Sequence, residues 1–329
     1  MQFKGSGWSL MKNYIPIIFL TTFIPLSSSW AMQAMEDADL AQQTGQDGVT
    51  LDIKLPNSAV TFSEAALIDS NGMTNATSTA SLVIAPTSYT TGSGIRLLSG
   101  STGNTVATAP VSVAIDADGG ATPLLNAEVS MPSDMQRIKI DPFSIFLATG
   151  SNWIYGTSRV FNGAAGTIRA GVTELLKIGN NGIEITFKPS NPVKINLQLG
   201  AEQQNHMFMF TGGILESIKT GSAGTDAIEI MSKNTSSTNS SLKFNFDLTA
   251  TNSTGISLTG FYGDINDNGL TFGKDGATDK MNLVLSNVIA GSAGVQDAAT
   301  FNNLKNASIG NIGIVGASVT NLKVNVKGL

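Results

Sequence analysis

Not one of the 329 residues is a cysteine. That excludes disulfide staples, thiol catalysis, zinc–thiolate sites and iron–sulfur clusters, so stability must come from core burial and backbone pairing. There is a single histidine, His206, and one imidazole cannot build a multi-histidine metal site. Charge is scarce too: Asp, Glu, Lys and Arg make up 13% of the chain, against about a quarter in ordinary soluble domains. The net formal charge is −5 and the Lys and Arg residues are scattered. Nucleic acid is therefore not an expected partner, because phosphate binding needs clustered cations. Few windows carry a helical period.

What is present begins with an export pattern. Lys4 and Lys12 precede a mostly apolar stretch, Ile15 to Leu26, and small residues follow at Ser29 and Ala31. The apolar stretch is shorter than the about 20 residues that cross a bilayer. The pattern predicts a signal peptide over 1–31, cut after Ala31, and a mature β-rich domain over 32–329. Removing Lys4 and Lys12 with that peptide takes the formal charge from −5 to −7. No later segment could span a membrane as a helix, so the expected location is outside the cytoplasm, in the periplasm, in a pilus or at the cell surface.

Strand signals run through the rest. Val49–Leu55, Arg137–Asp141, Ile183–Phe187, Val193–Leu199, Leu242–Leu248 and Leu322–Val326 alternate apolar with polar residues. Period two over five to seven residues marks a strand with one buried and one wet face. Asp47-Gly48, Asn71-Gly72, Asp118-Gly119, Asn181-Gly182, Asn268-Gly269 and Asp275-Gly276 suit the positive φ angles of tight hairpins. The predicted fold is all-β: mainly antiparallel sheets or a sandwich joined by tight hairpins, in an elongated arrangement if the strands extend in series. In the C-terminal part a parallel β-solenoid is the alternative. Single helical turns are expected at Ala38–Gln43 and Val172–Ile178. The polar run Ser232–Ser241 reads as a loop or a sub-boundary.

The segment Asp37–Leu51, "DADLAQQTGQDGVTL", resembles the start of FilA-type pilus assembly proteins of Acinetobacter-type bacteria. "RIKIDPFSIFL", "ELLKIGNNGIEITF" and "VKINLQLGAEQQNHMFMF" are similar to segments of that group. The resemblance implies a structural protein of a Gram-negative envelope, linked to pili or fimbriae, with no catalytic residues to carry over.

The residues support the same expectation. No nucleophile, oxyanion motif or cofactor loop is legible, so no enzyme is expected. Val49, Leu51, Ile53 and Leu55 lie on one side of the first mature strand. Such a strand can complete its own sheet or add to a partner's, where main-chain bonds give affinity and side chains give register. The expected partners are other pilus or envelope proteins, or a second copy through strand addition. The alternative function is an adhesin-like binding module stabilised by calcium. Asp264, Asn266, Asn268 and Asp275 carry the spacing of a calcium loop, although their flanks read as strands. His206 has no partner that the sequence identifies. Trp153 and Tyr155 are aromatic candidates for a binding loop.

Overall fold

The computed structural model describes residues 48–55, 59–69, 78–89, 93–149, 159–163, 166–179, 181–201, 204–220, 228–232, 240–267, 269–291 and 308–327. The expected signal peptide over 1–31, the helical turn expected at Ala38–Gln43, Asn71-Gly72, Trp153, Tyr155 and Asn268 lie outside them. Residues Gly48–Leu329 form one unit. Among the described residues there are 24 strands and no helix. Among the described residues no helix is therefore long and apolar enough to cross a membrane.

Eight strands form one antiparallel sheet. In spatial order they are β1 (Val49–Ile53), β6 (Val111–Asp118), β7 (Leu124–Ser130), β14 (Lys194–Gly200), β15 (Phe208–Gly212), β20 (Phe261–Asn266), β21 (Gly269–Ala277) and β24 (Thr320–Val326). One face carries Leu51, Val113, Val129, Ile195 and Phe210 in register. The other carries Asn126, Asn196, Gln198 and Asp264.

The larger sheet follows an eleven-strand path: β2 (Ala59–Phe62), β5 (Ser93–Ser99), β8 (Met135–Ile140), β13 (Ile183–Phe187), β16 (Ile214–Thr220), β18 (Ser240–Ala250), β17 (Ile228–Ser232), β12 (Val172–Ile178), β9 (Phe143–Thr149), β4 (Ala80–Pro86) and β3 (Ala65–Asp69). β19 (Ile256–Ser257), β22 (Met281–Ala290) and β23 (Gly310–Ala317) branch from it. The path ends are β2 and β3, yet only Ser63 and Glu64 separate them in sequence. Three peptide units reach at most about 11 Å. β2 and β3 lie end to end because the path doubles back at β18: β22 pairs along Leu242–Ala250 and takes one edge, so β16 and β17 share the other, and β2 and β3 each stand five strands from β18 on that side.

The two sheets meet through a core of Leu97, Met135, Phe187, Val193, Leu215 and Ile256. Val111 and Phe210 pack on it from the eight-stranded sheet, and Ile138, Ile185 and Ile218 from the larger one. This is the sandwich that alternation predicts. A second core lies under β10 (Phe161–Asn162) and β11 (Thr167–Ile168): Val83, Ala85, Phe146, Ala148, Val160 and Phe161. Phe146 meets Phe161 edge-on at 6.0 Å.

The sparse charges are concentrated. Lys139, Glu184, Lys219 and Asp247 stand opposite one another across β8, β13, β16 and β18, and opposite signs in such positions stabilise pairing; Arg96, opposite Lys139 in β5, turns to Asp141 at 3.1 Å. Arg137 is buried, with its guanidinium 2.6 Å from Glu184 and donating to the Gly100 and Gly103 carbonyls. It ties the loop after β5 to the sheet.

Three local expectations are corrected. Val172–Ile178 is strand β12, not a helical turn. Leu175-Leu176 breaks the alternation because the register with β9 shifts between Glu174 and Leu176; the doublet is a β-bulge, which inserts one residue into a pair. Asp275-Gly276 lies inside β21, at the register shift between Lys274 and Ala277, and is likewise a bulge rather than a hairpin. Asn181-Gly182 joins β12 to β13, which do not pair with each other. There Gly182 has φ +72°, and a Cβ would sit 1.9 Å from the Ile140 carbonyl oxygen. The requirement for glycine comes from a close crossing, not from a hairpin. The polar run Ser232–Ser241 spans the connection between β17 and β18, whose ends pair at Ser232 and Ser240. The C-terminal strands pair antiparallel, β21 with β24 and β22 with β23, and among the described residues there are no solenoid rungs.

Candidate functional site

The polar face of the eight-stranded sheet gathers the candidate chemistry. Tyr262 and Asp264 alternate along β20 and point to that face. Tyr262 stands opposite Gly273 of β21. A Cβ at Gly273 would come within 2.6 Å of the tyrosine ring, so the glycine makes room for the ring to lie against the neighbouring backbone. His206 stacks on that ring, 3.6 Å between centroids and 8° from parallel.

Asp264 holds the histidine from the side. Its Oδ2 lies 2.9 Å from His206 Nδ1, and its Oδ1 accepts from the Met207 backbone N–H at 2.9 Å. A carboxylate only accepts, so Nδ1 carries the hydrogen in this contact. The partner is 58 residues away and no sequence spacing marks it. What could have found it is the strict alternation Tyr262-x-Asp264, which places a ring and an acid side by side on one face.

The loop carrying His206 is fixed by amides. The Gln204 side chain donates to the His206 carbonyl at 2.8 Å, and its backbone N–H donates to Gln198 Oε1 at 2.9 Å. Asn126 Oδ1 accepts from Asn196 at 2.8 Å and from Gln198 at 3.0 Å. Among the described residues His206 makes its side-chain hydrogen bond to Asp264, and no hydroxyl nucleophile is bonded to the ring. The arrangement locks a loop onto a sheet.

Tyr262 is buried, which raises its phenol above the ordinary value; the negative charges of Asp275 and Asp264 and a hydrogen bond to Asp275 raise it further. Asp264, Asn266 and Asp275, three of the four calcium-spacing residues, are spread along a hairpin. Asp264 engages His206 and Met207, and Asp275 engages Tyr262. Asn266 donates to Thr271 at 3.3 Å, and Asn268 is outside the described residues. Alternate residues of a strand lie about 6.6 Å apart, so these side chains form a row rather than a shell around a point. Among the described residues no three or more His, Cys, Asp or Glu side chains gather as a metal site.

The four partner-strand residues separate into two roles. Val49, Leu51 and Ile53 lie on β1, which pairs antiparallel with β6 and is the first strand of its sheet. They are 59%, 46% and 47% exposed. Leu55, just past the strand, packs against the core between the sheets and anchors it. At the opposite edge, β24 pairs with β21 alone among the described residues. Its Val324 and Val326 are 48% and 53% exposed.

No family model matches the chain, and neither a curated protein nor a solved structure matches it.

Proposed function

We propose that this chain is an exported, non-enzymatic structural protein of a Gram-negative cell envelope, contributing to pilus structure or assembly through sheet edges that other molecules extend. The observation that carries this is the state of the eight-stranded sheet. Among the described residues it ends on both sides in a strand paired along one side only, with half-exposed valine, leucine and isoleucine side chains. Soluble monomers blunt such edges with charge, proline or covering segments, because an open edge is a template for another chain. The export pattern over 1–31 and the resemblance of Asp37–Leu51 to FilA-type proteins agree with an envelope role.

Immunogold labelling of intact cells producing the chain tests this reading. Gold along filaments or in envelope patches, with other pilus proteins co-purifying, is the expected result. A chain confined to the cytoplasm, or purified protein that turns over a polysaccharide, would overturn it.

A further inference from the structure

We infer that the partner of each open edge is the opposite edge of a second copy of this chain: β24 of one molecule pairs antiparallel with β1 of the next. The inference rests on the structural role proposed above and names the contact that would perform it.

Strand count comes first. In an antiparallel sheet, direction reverses at every step. So does the face whose residues aim their N–H and C=O groups to a given side. Eight strands is an even number. β1 and β24 therefore run in opposite directions, and the residues presenting free backbone groups at the two edges belong to the same face. A copy placed beside the first by simple translation continues the sheet without a break in either alternation.

Side chains then select the register. Keeping the apolar faces aligned requires Val49, Leu51 and Ile53 to meet Leu322, Val324 and Val326. One alignment does this in full: Val49 with Val326, Thr50 with Asn325, Leu51 with Val324, Asp52 with Lys323, and Ile53 with Leu322. Three pairs are apolar, one is an amide facing a hydroxyl, and one is an acid facing a base, the pairs that stabilise opposed strands. The Asn325 amide is already oriented, since its Oδ1 accepts from Thr271 at 2.8 Å and leaves the NH2 group for Thr50. Asp52 accepts from Ser112 through Oδ1, which leaves Oδ2 for Lys323. Sliding the strands by two residues one way sets Lys54 against Lys323. Sliding them the other way sets Asp52 against Asn321, whose φ of 52° lies outside strand geometry.

The contact uses two different surfaces, so it does not close on itself as a two-fold pair. Repetition builds an open filament, and sheet twist turns each copy relative to the last.

Two substitutions test the pairing, each measured on the full chain by sedimentation at increasing concentration. Wild-type protein is expected to form species larger than a monomer as concentration rises. Asp52→Lys alone and Lys323→Asp alone should each stay monomeric. Their equimolar mixture should assemble again, because every contact in an alternating copolymer pairs opposite charges; the double variant should also assemble. Circular dichroism checks that each variant is folded. Independently, because the chain lacks cysteine, Thr50→Cys mixed with Asn325→Cys should give a disulfide-linked dimer at least tenfold more abundant than Thr50→Cys mixed with Asn321→Cys. Folded single variants that assemble like wild type, a mixture that stays monomeric, or equal cross-linking in the two cysteine mixtures would each overturn the pairing. Such a result with filament labelling intact on cells would remove this contact but not the structural role, and labelling confined to the cytoplasm would remove the role itself.

Discussion

β8 and β1 carry the same pattern and meet opposite fates. Arg137-Ile138-Lys139-Ile140 and Val49-Thr50-Leu51-Asp52-Ile53 both alternate apolar with polar residues. In β8, Ile138 packs into the core between the sheets and Arg137 is buried with partners for its guanidinium. In β1 the apolar residues are about half exposed and the backbone is paired on one side. The difference is position, not composition: β8 lies between β5 and β13, while β1 ends its sheet. Alternation specifies a strand with two unlike faces. Whether the apolar face becomes core or contact surface depends on what the rest of the chain lays over it.

The largest effect should come from dividing one strand of the larger sheet by face. Phe146 is almost wholly buried, while its neighbour Leu147 is 44% exposed. Phe146→Ala is expected to cost about 3–5 kcal/mol in a denaturant titration, and Leu147→Ala under about 1 kcal/mol. Similar losses for both would mean that Leu147 is covered, and the contrast between buried and open apolar faces would fail.

Next come two glycines of the Asn-Gly and Asp-Gly class. Gly182→Ala should cost about 2 kcal/mol or more, because a left-handed backbone and the Ile140 carbonyl both oppose a methyl group. Gly119→Ala, where a Cβ meets nothing within 4 Å, should stay within about 0.5 kcal/mol of wild type. Equal melting temperatures for the two variants would contradict the close crossing at Gly182.

A smaller effect is expected at Tyr262. Burial and the neighbouring acids hold its phenol above the ordinary 10.0, so the folded state favours the neutral form. That stabilisation is complete below the ordinary value and is lost as pH rises through the folded one. Tyr262→Phe should therefore lose about 1 kcal/mol near neutral pH through the missing hydrogen bond, and it should escape part of the alkaline loss seen in wild type. Parallel stability curves above pH 10 would mean that the phenol is not held neutral. The smallest effect concerns calcium. Because Asp264, Asn266 and Asp275 are spread along a hairpin and engaged elsewhere, a chelator should leave the melting temperature unchanged. A fall of several degrees would show that these residues do converge on an ion.

Much of this was legible in the chain. Period-two alternation locates β1, β8, β13, β14, β18 and β24, because face and sequence parity coincide in a strand. β12 misleads for a physical reason: its bulge places Leu175 and Leu176 together and imitates a helical stripe. The His206–Asp264 contact was not legible, since cross-strand partners depend on which strands become neighbours. Nor could the sequence show that β1 and β24 end the same sheet. Their complementarity, Asp52 against Lys323 between matched apolar residues, is written in the sequence but becomes readable only when both are seen as edges.

The central claim is that β1 and β24 are open in the isolated molecule and covered in the assembled one. Amide hydrogen exchange across a dilution series measures this directly. Protection should rise with concentration in Val49–Ile53 and Thr320–Val326 alone, while β8 and β13 stay protected throughout. Strong protection of both edge strands in dilute monomer, unchanged by concentration, would show that the chain already covers its own edges and would contradict the account.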